Sequence, residues 1–272
     1  KNNNKYNDLI KKNTKNLIEN SKKLEIQPYK IGLLIPTSNK GKNWKNAEDT
    51  YLWNILINSF KNTVDDFHNY VFYIGIDEDD QIWSKNNNIN KIVELKNNIK
   101  NVDFKFYKMN KIPKGHVTEM WNKLFNIAYN DNCSYFFQCG DDIELFSNFF
   151  STAIKVLLSR KNIGITGPIS QENIKVLTQT FVSRTHMHIF GYYFPKNIKN
   201  WYCDDWINEV YKPQFYYPLI TFVCANKGGK PRYNHESKEL INQKNITYTQ
   251  IEISKKIFLI YLNFINVNSQ KT

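Results

Sequence analysis

Continuous apolar runs alternate with helical stripes along the first 167 residues, and this alternation narrows the possible folds more than any other feature. Ile31-Gly32-Leu33-Leu34-Ile35 contains no polar residue, so it reads as a strand covered on both faces, running into Pro36-Thr37-Ser38-Asn39. Over residues 47–60, Leu52, Leu56 and Phe60 recur every four positions beside Trp53 and Ile57, the stripe of an amphipathic helix. Tyr70-Val71-Phe72-Tyr73-Ile74-Gly75-Ile76 is a second buried strand, ending at Asp77-Glu78-Asp79-Asp80, where Asp79 and Asp80 are expected in solvent. A strand over residues 102–107 follows, then a helical face made by Met120, Leu124 and Ala128 with Trp121, Phe125 and Tyr129. Ser134-Tyr135-Phe136-Phe137-Gln138 is the next strand. It stops at Gly140-Asp141-Asp142, after which Ser147 can cap a helix carrying Phe150, Ile154, Val156 and Leu157. Strands separated by helical crossovers run parallel, so the pattern predicts one α/β domain with a mostly parallel central sheet flanked by helices. Such sheets bind ligands beyond the carboxyl ends of their strands, which places Pro36, Thr37, Asp77, Asp141 and Asp142 at the predicted crevice.

After Gly164-Ile165-Thr166-Gly167-Pro168 the alternation fades. Residues 29–167 are therefore read as the ligand-binding part, and 168–272 as the rest of the same domain, covering the sheet edge. Residues 1–28 are a Lys/Asn-rich polar leader suited to a frayed helix or tether. An aromatic share of 15% excludes a disordered chain, despite a mean hydropathy of -0.57. The Asn and Lys bias looks like the coding habit of an AT-rich genome, such as that of a protist or a large DNA virus. It also explains much of the net charge of +12. The lysines are scattered and only Arg160, Arg184 and Arg232 are arginines, so a solvated surface is expected and no nucleic-acid partner. Cys133, Cys139, Cys203 and Cys224 form no C-x-x-C pair, which removes the usual zinc and redox motifs and favours a reducing, cytoplasmic setting for a soluble chain. No apolar run reaches the roughly 20 residues of a membrane-spanning helix, so no transmembrane segment is expected.

An acidic pair where a buried strand opens into a loop can aim a carboxylate at a ligand while the backbone stays anchored. Asp141 and Asp142 occupy such a place, and Glu144 lies two residues on, so the run holds both Asp-Asp and Asp-x-Glu. Tyr135-Phe136-Phe137-Gln138-Cys139-Gly140-Asp141-Asp142-Ile143 resembles the metal-binding strand of GT-A fold glycosyltransferases, a Rossmann-like group, and most closely the N-acetylglucosaminyltransferases that act on N-glycans. Their motif reads Glu-Asp-Asp with the last Asp on the metal. The resemblance implies Asp142 as the primary ligand of Mn2+ or Mg2+, with Asp141 near the ribose or a metal-bound water, and Gly140 departs from the Glu. Asn200-Trp201-Tyr202-Cys203-Asp204-Asp205-Trp206 is similar to the Trp-Asp-Asp-Trp segment of inverting members, in which an Asp is the catalytic base. Asp205 or Asp204 can take that role, with Trp201, Tyr202 and Trp206 offering ring faces to an acceptor sugar. The competing structural reading makes Asp204 a helix cap and Trp206 a core residue.

The resemblance implies an inverting transfer of a hexosyl or N-acetylhexosaminyl group from a nucleotide-sugar, with a UDP-sugar favoured, to a glycan or glycoprotein acceptor. By the same pattern Thr37 and Ser38 contact base or ribose, and Asp77 accepts from ribose or uracil. Lys114-Gly115-His116 precedes a helix whose N-terminus suits phosphate, with Asn122 nearby, and Arg184 can meet a phosphate or an acceptor carboxylate. Several members use a late His as a further metal ligand, which makes His235, after Gly228-Gly229, a candidate; His186-x-His188 is another if it lies on a strand. Two other readings compete. Aromatic-Gly-Asp-Asp also resembles the metal turn of RNA-dependent RNA polymerases, and a non-catalytic glycan-binding relative would keep the aromatics without the chemistry.

Overall fold

The computed structural model describes residues 2–229 and 237–269, with side chains defined for 12–229 and 238–266. Helix α1 (Asn2–Ser21) precedes β1 (Lys30–Thr37). A 3-10 turn (Ala47–Asp49) and a π-helical stretch (Leu52–Ile57) lead into α2 (Asn58–Thr63) and β2 (Asn69–Ile76). Then come α3 (Asn86–Glu94), β3 (Val102–Lys108), α4 (Val117–Asn130), β4 (Tyr135–Gln138), β5 (Ile143–Leu145), α5 (Phe150–Leu158) and β6 (Ile165–Ser170). The chain continues through β7 (Thr180–Ser183), α6 (Thr185–Phe190), α7 (Cys203–Tyr211), β8 (Tyr216–Asn226) and α8 (Ser237–Ser269).

All eight strands join one sheet in the order β3-β2-β1-β4-β7-β6-β8-β5. The half built from β3, β2, β1 and β4 is wholly parallel, as the buried runs predict. Beyond it β6 and β8 also pair parallel, while β4–β7, β6–β7 and β5–β8 are antiparallel. Residues 168–272 thus do more than cover an edge: β7 and β8 are integral strands. The period of two sorts side chains to the two faces. Leu33, Phe72 and Phe137 join α2, α3 and α5 on one side, whereas Leu34, Tyr73 and Phe136 join α4, α6, α7 and α8 on the other.

Three local expectations are corrected. The stripe over residues 47–60 is not one α-helix, although it buries the foreseen Leu52, Leu56 and Phe60. The leader is a docked helix, because Thr14, Leu17, Ile18 and Ser21 recur at helical spacing and are buried toward β8 and α5. Asp80 is buried rather than solvated, its carboxylate accepting from the backbone N–H groups of Asn39, Ile82 and Trp83, and burial pushes its pKa up. Asp79 does stay outside, paired with Lys114. All four cysteines are free and buried. Among the described residues no helix is long and apolar enough to cross a membrane.

Candidate active site

Strand β1 sits between β2 and β4, so chain connections leave it in both directions and a crevice opens where they part. A pocket of about 450 Å³ lies at this point. Pro36 and Thr37 at the end of β1 with Ser38 just beyond, Asp77 after β2, and Gly140, Asp141 and Asp142 after β4 form one side. Gly115, Val117, Met120 and Trp121 come from the start of α4, and Ser170, Glu172, Asn173, Thr178 and Gln179 from the ends of β6 and the approach to β7. Asn200, Trp201, Tyr202, Cys203 and Asp204 close the opposite wall, and Asn226 with Gly229 borders the acidic turn.

The acidic turn is held on several sides. Asp141 is 2% exposed and its Oδ2 accepts from the Thr37 hydroxyl at 2.7 Å, which ties the end of β4 to the end of β1. Gln179 Oε1 accepts from Gly140 N–H at 3.0 Å, and Lys227 N–H donates to the Asp142 carbonyl at 2.8 Å. The Asp142 carboxylate packs between two glycines. A Cβ built on Gly140 would stand 2.6 Å from its Oδ1, and one on Gly228 only 2.0 Å from its Oδ2. Tyr51 in turn donates its hydroxyl to the Gly228 carbonyl at 2.9 Å, so the loop pressing on Asp142 is itself anchored. Gly140 is therefore more than a missing Glu: a side chain there would need Asp142 to move.

The second acidic pair opens helix α7. Successive helical residues diverge by about 100°, so Asp204 and Asp205 cannot face the same way. Asp204 lines the pocket; Asp205 does not, and is exposed. Although water reaches Asp204 through the pocket, protein atoms surround it. This desolvation, with the neighbouring Asp205 charge, pushes its pKa up to about 7. Cys203 Sγ lies 3.6 Å from Asp204 Oδ1 and opposes the shift only slightly. Partial desolvation pushes the Asp205 pKa up as well, although its side chain reaches solvent. Asn208 fixes the helix start, donating to the carbonyls of Asp204 and Leu177 and accepting from Leu177 N–H.

Several sequence candidates lie elsewhere. Trp206 is fully buried and its indole N–H donates to Ser254 Oγ at 3.1 Å; it is core, where truncation to Ala costs roughly 3–5 kcal/mol of stability, and not an acceptor platform. Trp201 and Tyr202 do line the pocket, with Trp201 38% exposed. Arg184 donates to the Tyr129 and Cys133 carbonyls and stacks on Tyr129, away from the pocket. Asn122 holds the backbone of Tyr193 and Phe194, and Lys114 and His116 do not join the lining beside their neighbour Gly115. Glu144 lies on β5 with Lys227 Nζ at 3.4 Å, outside the pocket lining. His186 sits on helix α6 rather than a strand, buried against Tyr211 and the Tyr193 carbonyl, while His188 meets Tyr129. The two do not converge, and burial pushes His186 down to about 4. His235 lies outside the described residues.

Sequence reasoning missed Glu172. Its Oε2 accepts from Ser170 Oγ at 2.6 Å and from Asn226 N–H at 3.2 Å. Burial opposes its ionisation, but these hydrogen bonds and nearby Lys227 prevail and hold its pKa down. The signal was available, since Glu172 follows the carboxyl end of a strand just as Asp77 does. The pocket consequently carries five carboxylates, from Asp77, Asp141, Asp142, Glu172 and Asp204, and among the described residues no Lys, Arg or His lines it.

No family model matches the chain. No curated protein matches it in sequence. Among solved structures it is similar to the mannosyltransferase PcManGT from Pyrobaculum calidifontis, in complex with GDP-Man and Mn2+, with a TM-score of 0.52 and 11% identity over 92% of this chain and 81% of that one. Another similar structure is S. aureus TarS, at a TM-score of 0.47 and 12% identity, where the match takes in 86% of this chain and 43% of that one. The first likeness shows the fold: an α/β domain with a mostly parallel central sheet, like that of the mannosyltransferase.

Proposed function

We propose that this chain is a cation-dependent glycosyltransferase that moves a sugar from a nucleotide-sugar, a UDP-sugar being favoured, to a hydroxyl of a glycan or glycoprotein. The observation that carries this reading is the charge of the pocket. Five acidic side chains line it and, among the described residues, no Lys, Arg or His does, so a diphosphate entering the pocket meets a negatively charged wall that a divalent cation would offset. The donors are hard carboxylate oxygens, which suit Mg2+ or Mn2+. A cation there would be held by one or two carboxylates, Asp142 and Asp141, and otherwise by phosphate oxygens and water. When bound, the cation would neutralise the charge that grows on the leaving diphosphate.

The chain's own groups would do the rest. Asp204 takes the proton of the acceptor hydroxyl as its oxygen bonds to the anomeric carbon and the bond from that carbon to the diphosphate breaks; attack from the opposite side inverts the anomeric centre. A carboxylate with a pKa near 7 is a stronger base than an ordinary one, yet still ionised in a useful fraction at neutral pH. Trp201 and Tyr202 offer ring faces to sugar C–H groups beside it. Thr37, Ser38 and Asp77 line the same pocket and would serve the base and ribose, Asp77 accepting from a ribose hydroxyl or a base N–H.

Thermal-shift measurements with UDP-sugars, GDP-sugars and nucleoside triphosphates, each with and without Mn2+, test the reading. A midpoint raised by a nucleotide-sugar only when Mn2+ is present supports it, and the sugar series then decides between uridine and guanosine. Stabilisation by triphosphates and RNA alone would favour the polymerase reading instead.

A further inference from the structure

We propose that the far end of α8 is a membrane-surface anchor, inserting its apolar side chains into an anionic lipid interface. The helix runs along the body through Gln243, Thr247, Ile251, Ser254 and Phe258, buried at helical spacing. Phe258 is the last buried residue. From 259 to 266 every residue is exposed or only partly covered, although most are apolar. Leu259, Ile260 and Phe264 are 58%, 68% and 65% exposed. Tyr261, Leu262 and Ile265 pack against the apolar core on the inner side, so Leu259, Ile260 and Phe264 make up an outward apolar face. With its inner side already seated on the body, the outward side still shows three large apolar side chains, and nothing among the described residues covers them.

Charge selects the medium. Lys255 and Lys256, both exposed, stand one turn before Leu259, and the sequence holds no Asp or Glu after Glu252. Cations at the edge of an apolar segment fit an anionic headgroup layer above acyl chains. A second copy of this chain is a poorer occupant. It would bring two chains of net charge +12 together, with Lys255 and Lys256 at the contact. The eight residues 259–266 span about 12 Å, enough for shallow insertion and far short of the roughly 30 Å hydrocarbon core.

The test is co-sedimentation of the full chain with vesicles of phosphatidylcholine alone or mixed with phosphatidylserine, beside its mass in solution by light scattering. The expected result is binding to the phosphatidylserine vesicles that weakens with salt, falls roughly a hundredfold in a Leu259→Ser/Ile260→Ser/Phe264→Ser variant, and falls about tenfold in Lys255→Gln/Lys256→Gln. Each variant is checked for an unchanged melting midpoint, which the exposure of these side chains predicts. The proposal is overturned if the wild-type chain stays in the supernatant, if the triple variant sediments as well as wild type, or if the wild type is a dimer that the triple variant splits.

Discussion

The two Asp-Asp pairs are identical as dipeptides and differ in what the backbone does with them. Asp141-Asp142 lies on a turn beyond β4, and both residues line the pocket: one bound to Thr37, the other set between Gly140 and Gly228. Asp204-Asp205 lies in the first turn of α7, where helical geometry sends only Asp204 into the pocket. Surroundings then separate the roles. The turn presents oxygens on a fixed frame beside backbone and glycine, which suits holding a cation. The helix presents a single carboxyl among protein atoms, where desolvation makes it a better proton acceptor.

The largest effect that would break this division is on turnover. Asp204→Asn should lower kcat by about 10²–10⁴-fold, the range of a lost general base, while the Mn2+-dependent midpoint shift with donor stays. In the wild type, activity should rise with pH through about 7, because only the ionised carboxyl accepts a proton. The same group makes a stability prediction of opposite sense. Its pKa is raised from 3.8 to about 7 on folding, so the native state holds the proton more tightly than the unfolded chain. This contribution is fully favourable below pH 4 and is lost as pH rises through about 7, with a ceiling on the order of 4 kcal/mol. Denaturant midpoints across that window should fall less steeply in Asp204→Asn than in wild type; equal slopes would place the carboxyl in ordinary solvent.

Next in size, Asp142→Asn should weaken Mn2+-dependent donor binding roughly a hundredfold, measured by calorimetric titration, with folding intact. Normal donor affinity in that variant would move the cation away from the turn. A smaller change sharpens the same point without touching any carboxylate. Gly228→Ala places a methyl where Asp142 Oδ2 now sits, so the carboxylate must turn and Mn2+-dependent affinity should fall about tenfold. Ala in place of Gly229, where a Cβ would meet nothing within 4 Å, controls for the loop's backbone, though its φ of +74° makes that substitution strained in itself.

Much of the pocket's first half was legible in the sequence because strand ends are local events. An unbroken apolar run followed by Pro36-Thr37 or Gly140-Asp141-Asp142 signals both the strand and its carboxyl end, and the parallel sheet brings those ends together. The second half was not legible, because β7, β6 and β8 join the sheet out of sequence order, and nothing in residues 165–226 says which strands pair. Gln179 was hidden for that reason, and Glu172, although it follows a strand end, could not be assigned to this pocket without the strand order. Arg184 and Asn122 misled for another: each polar side chain satisfies backbone groups that only the tertiary fold exposes. Trp206 resembled a sugar platform by motif, yet its position on the inward face of α7 makes it core. The docking of α1 was masked by composition, since Thr14, Leu17, Ile18 and Ser21, the buried positions among its described side chains, sit in a helix rich in Asn and Lys.

The smallest expected effect is the most discriminating. Asp205 is exposed, and its electrostatic surroundings are Glu209, Lys212 and Lys244 rather than pocket groups. Asp205→Asn should therefore leave kcat within about twofold of wild type and change stability by less than about 1 kcal/mol, because desolvation offsets what an acid gains in the first turn of a helix. It should still leave a trace in the chemistry, because the Asp205 charge is the second cause raising Asp204. Removing it lets Asp204 ionise more easily, so the inflection of the activity profile should move below pH 7 by a fraction of a unit while the plateau rate is kept. A shifted inflection with an unshifted plateau is what a neighbour does; a collapsed plateau is what a base does, and it would transfer the role from Asp204 to Asp205.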